Sequence, residues 1–127
     1  MGFFSDIKTA TKNAADRADQ GYETQKLKSE ISSLNSDTEK AYSEIGKLYY
    51  ENVKDPNADF AGKSKELVDR IDSNFKKIEE LNAEIEKVIA EHEAARETNR
   101  AEAEAEEARR KEEKAQKQAE KEAAKKQ

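Results

Sequence analysis

Apolar residues recur along the chain at alternating steps of four and three. Leu27, Ile31, Leu34, Thr38, Ala41, Ile45, Leu48 and Asn52 follow one another by 4, 3, 4, 3, 4, 3 and 4 residues. That spacing keeps one side of a helix apolar, and a sustained heptad is what two helices need to pack along a shared seam. Further on, Ser64, Leu67, Ile71, Asn74, Ile78, Leu81, Ile85, Val88, His92 and Ala95 resume the alternation. Between the two runs lies Asp55-Pro56-Asn57-Ala58-Asp59-Phe60, the one strong helix breaker. Proline disfavours the helical region for the residue before it, and Asp59 or Ser64 can cap the helix that follows. The pattern predicts an all-α protein built on an antiparallel coiled-coil hairpin over residues 22–95, with its turn near 55–60. Ser32, Ser33, Asn35 and Ser36 soften the first arm, and Ser36 with Glu39 imitates a capping box. The unbroken heptad favours one continuous helix there.

Two segments flank the hairpin. Phe4, Ile7, Thr11, Ala14 and Ala18, with Phe3 and Ala15 beside them, line one face of a helix over residues 1–21. Gly21 is expected to close that short amphipathic helix as a C-cap or hinge. Residues 96–127 are alanine, glutamate, lysine, arginine and glutamine almost throughout. Glu106–Arg110, Glu107–Lys111, Glu113–Lys117 and Glu122–Lys126 are acid-to-base pairs at i, i+4, which support an exposed helix. A charged helical extension is expected, with a disordered polar tail as the alternative.

Composition changes the picture in one respect. Of 127 residues, 42% are charged and 34% hydrophobic, and all 24 Val, Ile, Leu, Met, Phe and Tyr residues lie within residues 1–89. Any packed core must come from there, and a small core of this kind supplies only about 3–5 kcal/mol. Either the N-terminal helix folds back as a third strand of the bundle or hairpins assemble side by side. Val68, Phe75 and Ile89 widen the stripe on the second arm and mark where an extra neighbour would sit. A homo-oligomer or filament is the expected partner state.

Candidate chemistry is thin. There is no cysteine, and the glycines at 2, 21, 46 and 62 are too scattered for a phosphate loop. His92 falls in the seam, where it sets register or faces a glutamate. A carboxylate-bridged metal pair would need Glu three residues before a histidine, and Ile89 stands there. No cofactor, metal, small-molecule substrate or enzymatic activity is expected. Tyr42, Tyr49 and Tyr50 sit among Glu39, Glu44 and Glu51, so packing against the second arm is favoured over stacking on nucleic acid. The net charge of −5 argues the same way, although Arg109-Arg110-Lys111 and Lys125-Lys126 are local basic clusters. No run of 18 apolar residues and no basic-then-apolar leader pattern is present, so a cytoplasmic location is expected. The exception is the opening. Phe3, Phe4 and Ile7 make an apolar tip followed by Lys8, Lys12 and Arg17, a composition suited to a lipid headgroup layer or a partner. Asp6, Asp16 and Asp19 offset those bases. A peripheral position at the inner face of the membrane is the second expectation.

The opening Met1-Gly2-Phe3-Phe4 with Asp6 and Ile7, and the later Ile45-Gly46-Lys47-Leu48-Tyr49-Tyr50-Glu51, resemble a group of small bacterial coiled-coil proteins that often begin MGFF and often end in a zinc ribbon. The resemblance covers roughly residues 1–90. The absence of cysteine means that no ribbon carries over. Met1, Gly2, Phe4 and Ile7 are also similar to the opening of the phage-shock-protein A family. That likeness implies membrane association and self-assembly of a helical hairpin. The function expected overall is a non-enzymatic structural or scaffolding coiled coil. It would self-assemble through a seam of Leu27, Ile31, Leu34, Ile45, Leu48, Ile71, Ile78, Leu81, Ile85 and Val88. The alternative is a peripheral membrane-binding or membrane-remodelling protein docking through its first helix.

Overall fold

The computed structural model describes the backbone of residues 2–126 and the side chains of residues 6–126. Two helices account for nearly all of it: α1, Gly2–Lys54, and α2, Phe60–Lys125. No strand occurs among the described residues. The two helices, and the reversal of the chain between them within residues 22–88, are consistent with the helical hairpin that the two heptad runs predict. Its contacts divide it into two units, one of Met1–Gly21 with Ile89–Gln127 and one of Tyr22–Val88.

The turn that reverses the chain is held by local hydrogen bonds. The Asp55 amide donates to the Glu51 carbonyl at 2.8 Å, closing the last turn of α1. The Asp55 carboxylate then accepts from the Asn57 amide at 3.1 Å, and the Asp55 carbonyl from the Ala58 amide at 3.0 Å. An aspartate before a proline suits this turn, because its side chain replaces a helical partner that Pro56 denies the backbone. Asp59 caps α2 by accepting from the Gly62 amide at 3.0 Å. A Cβ at Gly62 would run into that carboxylate, so glycine leaves room for the cap.

Within residues 22–88 the heptad positions turn toward each other. Ala41, Leu67 and Ile71 form the buried cluster, and Ile45 and Leu48 pack against it. Leu81 is buried as well. Leu27, Ile31, Leu34, Ile78, Ile85 and Val88 are half-buried. Thr38, Ser64 and Asn74, the polar heptad positions, are buried with them. Pairs across the arms run in opposite order: Asp37 meets Arg70 and Tyr49 meets Phe60.

The unit of residues 1–21 and 89–127 is built differently. Its inward side on α1 is Thr9, Asn13, Asp16 and Gln20, all polar and half-buried. On α2, Arg96 is buried and His92, Asn99 and Ala103 are half-buried.

Two sequence expectations need correction. Gly21 does not end a helix: α1 runs through it, and no glycine has positive φ, the conformation a C-cap glycine adopts. Glycine inside a helix costs about 1 kcal/mol against alanine, too little to break a helix that the neighbouring turns support. For the same reason no turn exists in residues 2–54 at which the first segment could return as a third strand. The soft serine stretch at 32–36 stays helical, and α2 continues to Lys125.

Candidate interaction surfaces

The first arrangement with definite geometry is a polar network in the hairpin of residues 22–88. The Arg70 guanidinium donates to both Asp37 carboxylate oxygens, Nε and one Nη each at 2.8 Å, a two-pronged pairing that fixes the arms in register. The Asn74 side-chain amide donates to Asp37 at 2.9 Å and to the Thr38 hydroxyl at 3.2 Å. Thr38 in turn donates to the Leu34 carbonyl at 2.9 Å. The Arg70 hydrogen bonds, then that of Asn74, hold the Asp37 carboxyl below the ordinary value, and Asp37 correspondingly raises Arg70. No buried side-chain nitrogen or oxygen lacks a partner among the described residues. The network ties the two arms together at one level of the hairpin.

A second network joins residues 1–21 to residues 89–127. Asp16 lies 2.6 Å from His92 Nδ1 and 2.9 Å from an Arg96 Nη. Arg96 also donates to the Gln20 side-chain oxygen at 2.7 Å, and the Asn99 amide donates to Asn13 at 3.2 Å. The His92 hydrogen bond, with a smaller contribution from Arg96, lowers the Asp16 carboxyl. His92 thus faces an aspartate, Asp16. With its charge engaged by Arg96, Asp16 no longer offsets Lys8, Lys12 and Arg17 on the surface.

The consequence for the first helix is an inversion. Ile7 is 48% exposed, and Thr11, Ala14 and Ala18 are exposed as well. The apolar face of this segment therefore points to solvent, where a lipid layer or a partner could meet it, and the polar face is inside. The side chains of Phe3 and Phe4, named with Ile7 as contact residues, lie outside the described residues.

Other large apolar residues stay open in the hairpin unit. Tyr22, Tyr42, Tyr49, Tyr50, Val53, Val68 and Phe75 are each 45% exposed or more. Of the tyrosines expected to pack on the second arm, Tyr49 meets Phe60 edge-on at 5.9 Å. Tyr50 instead sits beneath the Lys54 ammonium at 5.5 Å. The flank expected from Val68 and Phe75 is uncovered. Ile89 is half-buried.

A groove of about 470 Å³ lies among Tyr22, Lys26, Leu27, Glu30, Glu84 and Val88. Its lining carries one lysine and three glutamates, Glu23 included. No group of three or more histidine, aspartate or glutamate side chains poised for a metal occurs among the described residues. In the charged stretch of α2, Glu106 pairs with Arg110 at 2.7 Å and Glu107 with Lys111 at 3.6 Å.

Sequence reasoning missed Asp37, Arg70, Arg96 and the Asn13–Asn99 pair. Asp37 and Arg70 each precede an inward heptad position, which is where ion pairs flank a helical seam, so that signal was available. No family model, curated protein or solved structure matches the chain.

Proposed function

We propose that this chain is a non-enzymatic structural protein, an antiparallel coiled-coil hairpin that assembles with copies of itself. One observation carries the proposal: seven large apolar residues of the hairpin unit stay exposed, while four of its hydrophobic residues are buried. The buried four are Ala41, Leu67, Ile71 and Leu81, and none of the large side chains is fully buried. Exposed apolar surface of that extent marks an interface, and a two-helix core this small gains stability from a further neighbour. The heptad seam is spent within the chain, so assembly uses the surface beside it. Gel filtration with light scattering tests the proposal. Masses of two or more chains support it, and 14.4 kDa at every concentration removes it.

A second role, contact with a membrane surface, is favoured by the inverted first helix. Ile7, Ala14 and Ala18 point outward with Lys8, Lys12 and Arg17 at the borders, and Asp16 is turned inward. An apolar stripe bordered by Lys8, Lys12 and Arg17, with Asp6 and Asp19 beside them, suits a headgroup layer through its apolar side chains. No described helix is long and apolar enough to cross a membrane, so the contact would be peripheral. Flotation with anionic vesicles tests it, comparing the intact chain with Ile7→Asp/Ala14→Asp. Loss of flotation in the variant supports the role, and equal flotation removes the helix from it.

A further inference from the structure

We infer that residues 6–21 are a strap latched by charge: the Asp16–Arg96 pair holds them on residues 92–103 of α2, and the strap opens as one piece while residues 22–88 stay folded. The inference stands apart from the assembly reading. The α1 residues turned inward here, Thr9, Asn13, Asp16 and Gln20, are all polar. Opposite them Arg96 is buried, and His92 and Asn99 are half-buried. Every buried hydrophobic residue among the described residues lies in 22–88, at Ala41, Leu67, Ile71 and Leu81. Ile7, Ala14 and Ala18 are already exposed with the strap closed. Ile89 and Ala103 are the half-buried apolar residues of this unit among the described residues. Apolar burial is the main force that keeps helices docked. Polar groups that part from one another regain water, so their pairing adds little net stability. A contact of this composition opens more readily than an apolar core.

The latch works as a whole. The Asp16 carboxylate bridges two α2 side chains four residues apart, with one oxygen 2.6 Å from His92 Nδ1 and the other 2.9 Å from Arg96. Arg96 reaches on to Gln20 at 2.7 Å, so one guanidinium ties two turns of α1. The Arg96 and Asp16 side chains are 10% and 18% exposed. A closed strap that lost one of them would hold the other charge away from water without its partner, which is costly. An open strap hydrates both, so damage to the pair favours opening. Once released, residues 6–21 are the end of a helix with no neighbour, and such ends fray. Their backbone amides therefore report whether the strap is closed. The hairpin keeps its own ion pair, Asp37 with Arg70, and its own apolar cluster, and neither includes a residue of the strap.

Hydrogen–deuterium exchange of the full chain at neutral pH, read by mass spectrometry, tests the inference. In the wild type, amides of residues 6–21 should exchange more slowly than those of 108–126 and faster than those around Leu67 and Ile71. Arg96→Glu, which sets a second carboxylate against Asp16, should speed exchange across 6–21 at least about tenfold and leave the Leu67 and Ile71 region unchanged. Asp16→Asn, a gentler change, should act in the same direction. Asp16→Asn/Arg96→Glu should recover part of the protection lost in Arg96→Glu, because the repulsion is gone. If residues 6–21 stay equally protected in both single variants, other contacts hold the segment and the inference falls. It falls too if the hairpin amides speed up in step with them, since the strap is then no separate piece. No recovery in the double variant would show that the two residues do not act on each other and would overturn the latch. Wild-type exchange as fast over 6–21 as over 108–126 would show that no closed strap exists.

Discussion

Asp59 and Asp55 show how single side chains place the turn. Asp59 satisfies an orphan amide at the start of α2, and Asp55 holds the loop that Pro56 opens. Asp59→Ala should cost about 1 kcal/mol in urea unfolding, and Asn at the same position should recover most of that. At the middle of the hairpin, Asp37 and Arg70 set the register. The Asp37 carboxyl is held below its ordinary value of 3.8 by Arg70 and Asn74, as the Asp16 carboxyl is by His92 and Arg96. A group whose pKa is depressed by folding adds stability that is present above its unfolded pKa and lost as pH falls through the folded one. Melting temperature should therefore be steady from neutral pH down to about 5 and drop below about 4. Asp37→Asn should flatten that drop while lowering stability at pH 7.

At the scale of the elements, the heptads made both arms legible, and the alternation of four and three falls on residues of 22–88 that are buried or half-buried. Ile71→Ala should cost about 2–3 kcal/mol, the low end for a buried isoleucine, because the cluster around it is small and can collapse. Asn74 is one of the buried polar positions in that seam, with Thr38 and Ser64. Asn74→Leu should raise the melting temperature while loosening register, seen as a broader mixture of oligomers, since a buried asparagine trades stability for a defined pairing. The first helix was misread for a geometric reason. Ala18 and Leu27 are nine residues apart, about two and a half turns, so in one continuous helix they point to opposite sides. Treating Gly21 as a break let both apolar faces be inward. Continuity of α1 sends the face of Ile7, Ala14 and Ala18 outward and puts Asn13, Asp16 and Gln20 inside. The polar partners of that inner face, Arg96 and Asn99, lie far along the chain, and a pattern of apolar residues alone cannot announce them.

For the molecule as a whole, order should follow packing rather than helix content. Both helices are unbroken, yet every residue of 108–126 is exposed. A helix held only by its own hydrogen bonds and surface ion pairs opens readily. Amides of residues 108–126 should exchange with deuterium fast, and those around Leu67, Ile71 and Leu81 slowest.

All of this depends on the two apolar ridges closing on each other within one chain. The protein has no native cysteine, so Thr38→Cys/Asn74→Cys tests that closure directly. The two side chains touch at 3.2 Å across the arms. Mild oxidation, or a short bis-maleimide bridge, should join them within a single chain of 14.4 kDa, even at high dilution. Crosslinks found only between chains, or none while the helical signal persists, would contradict the hairpin.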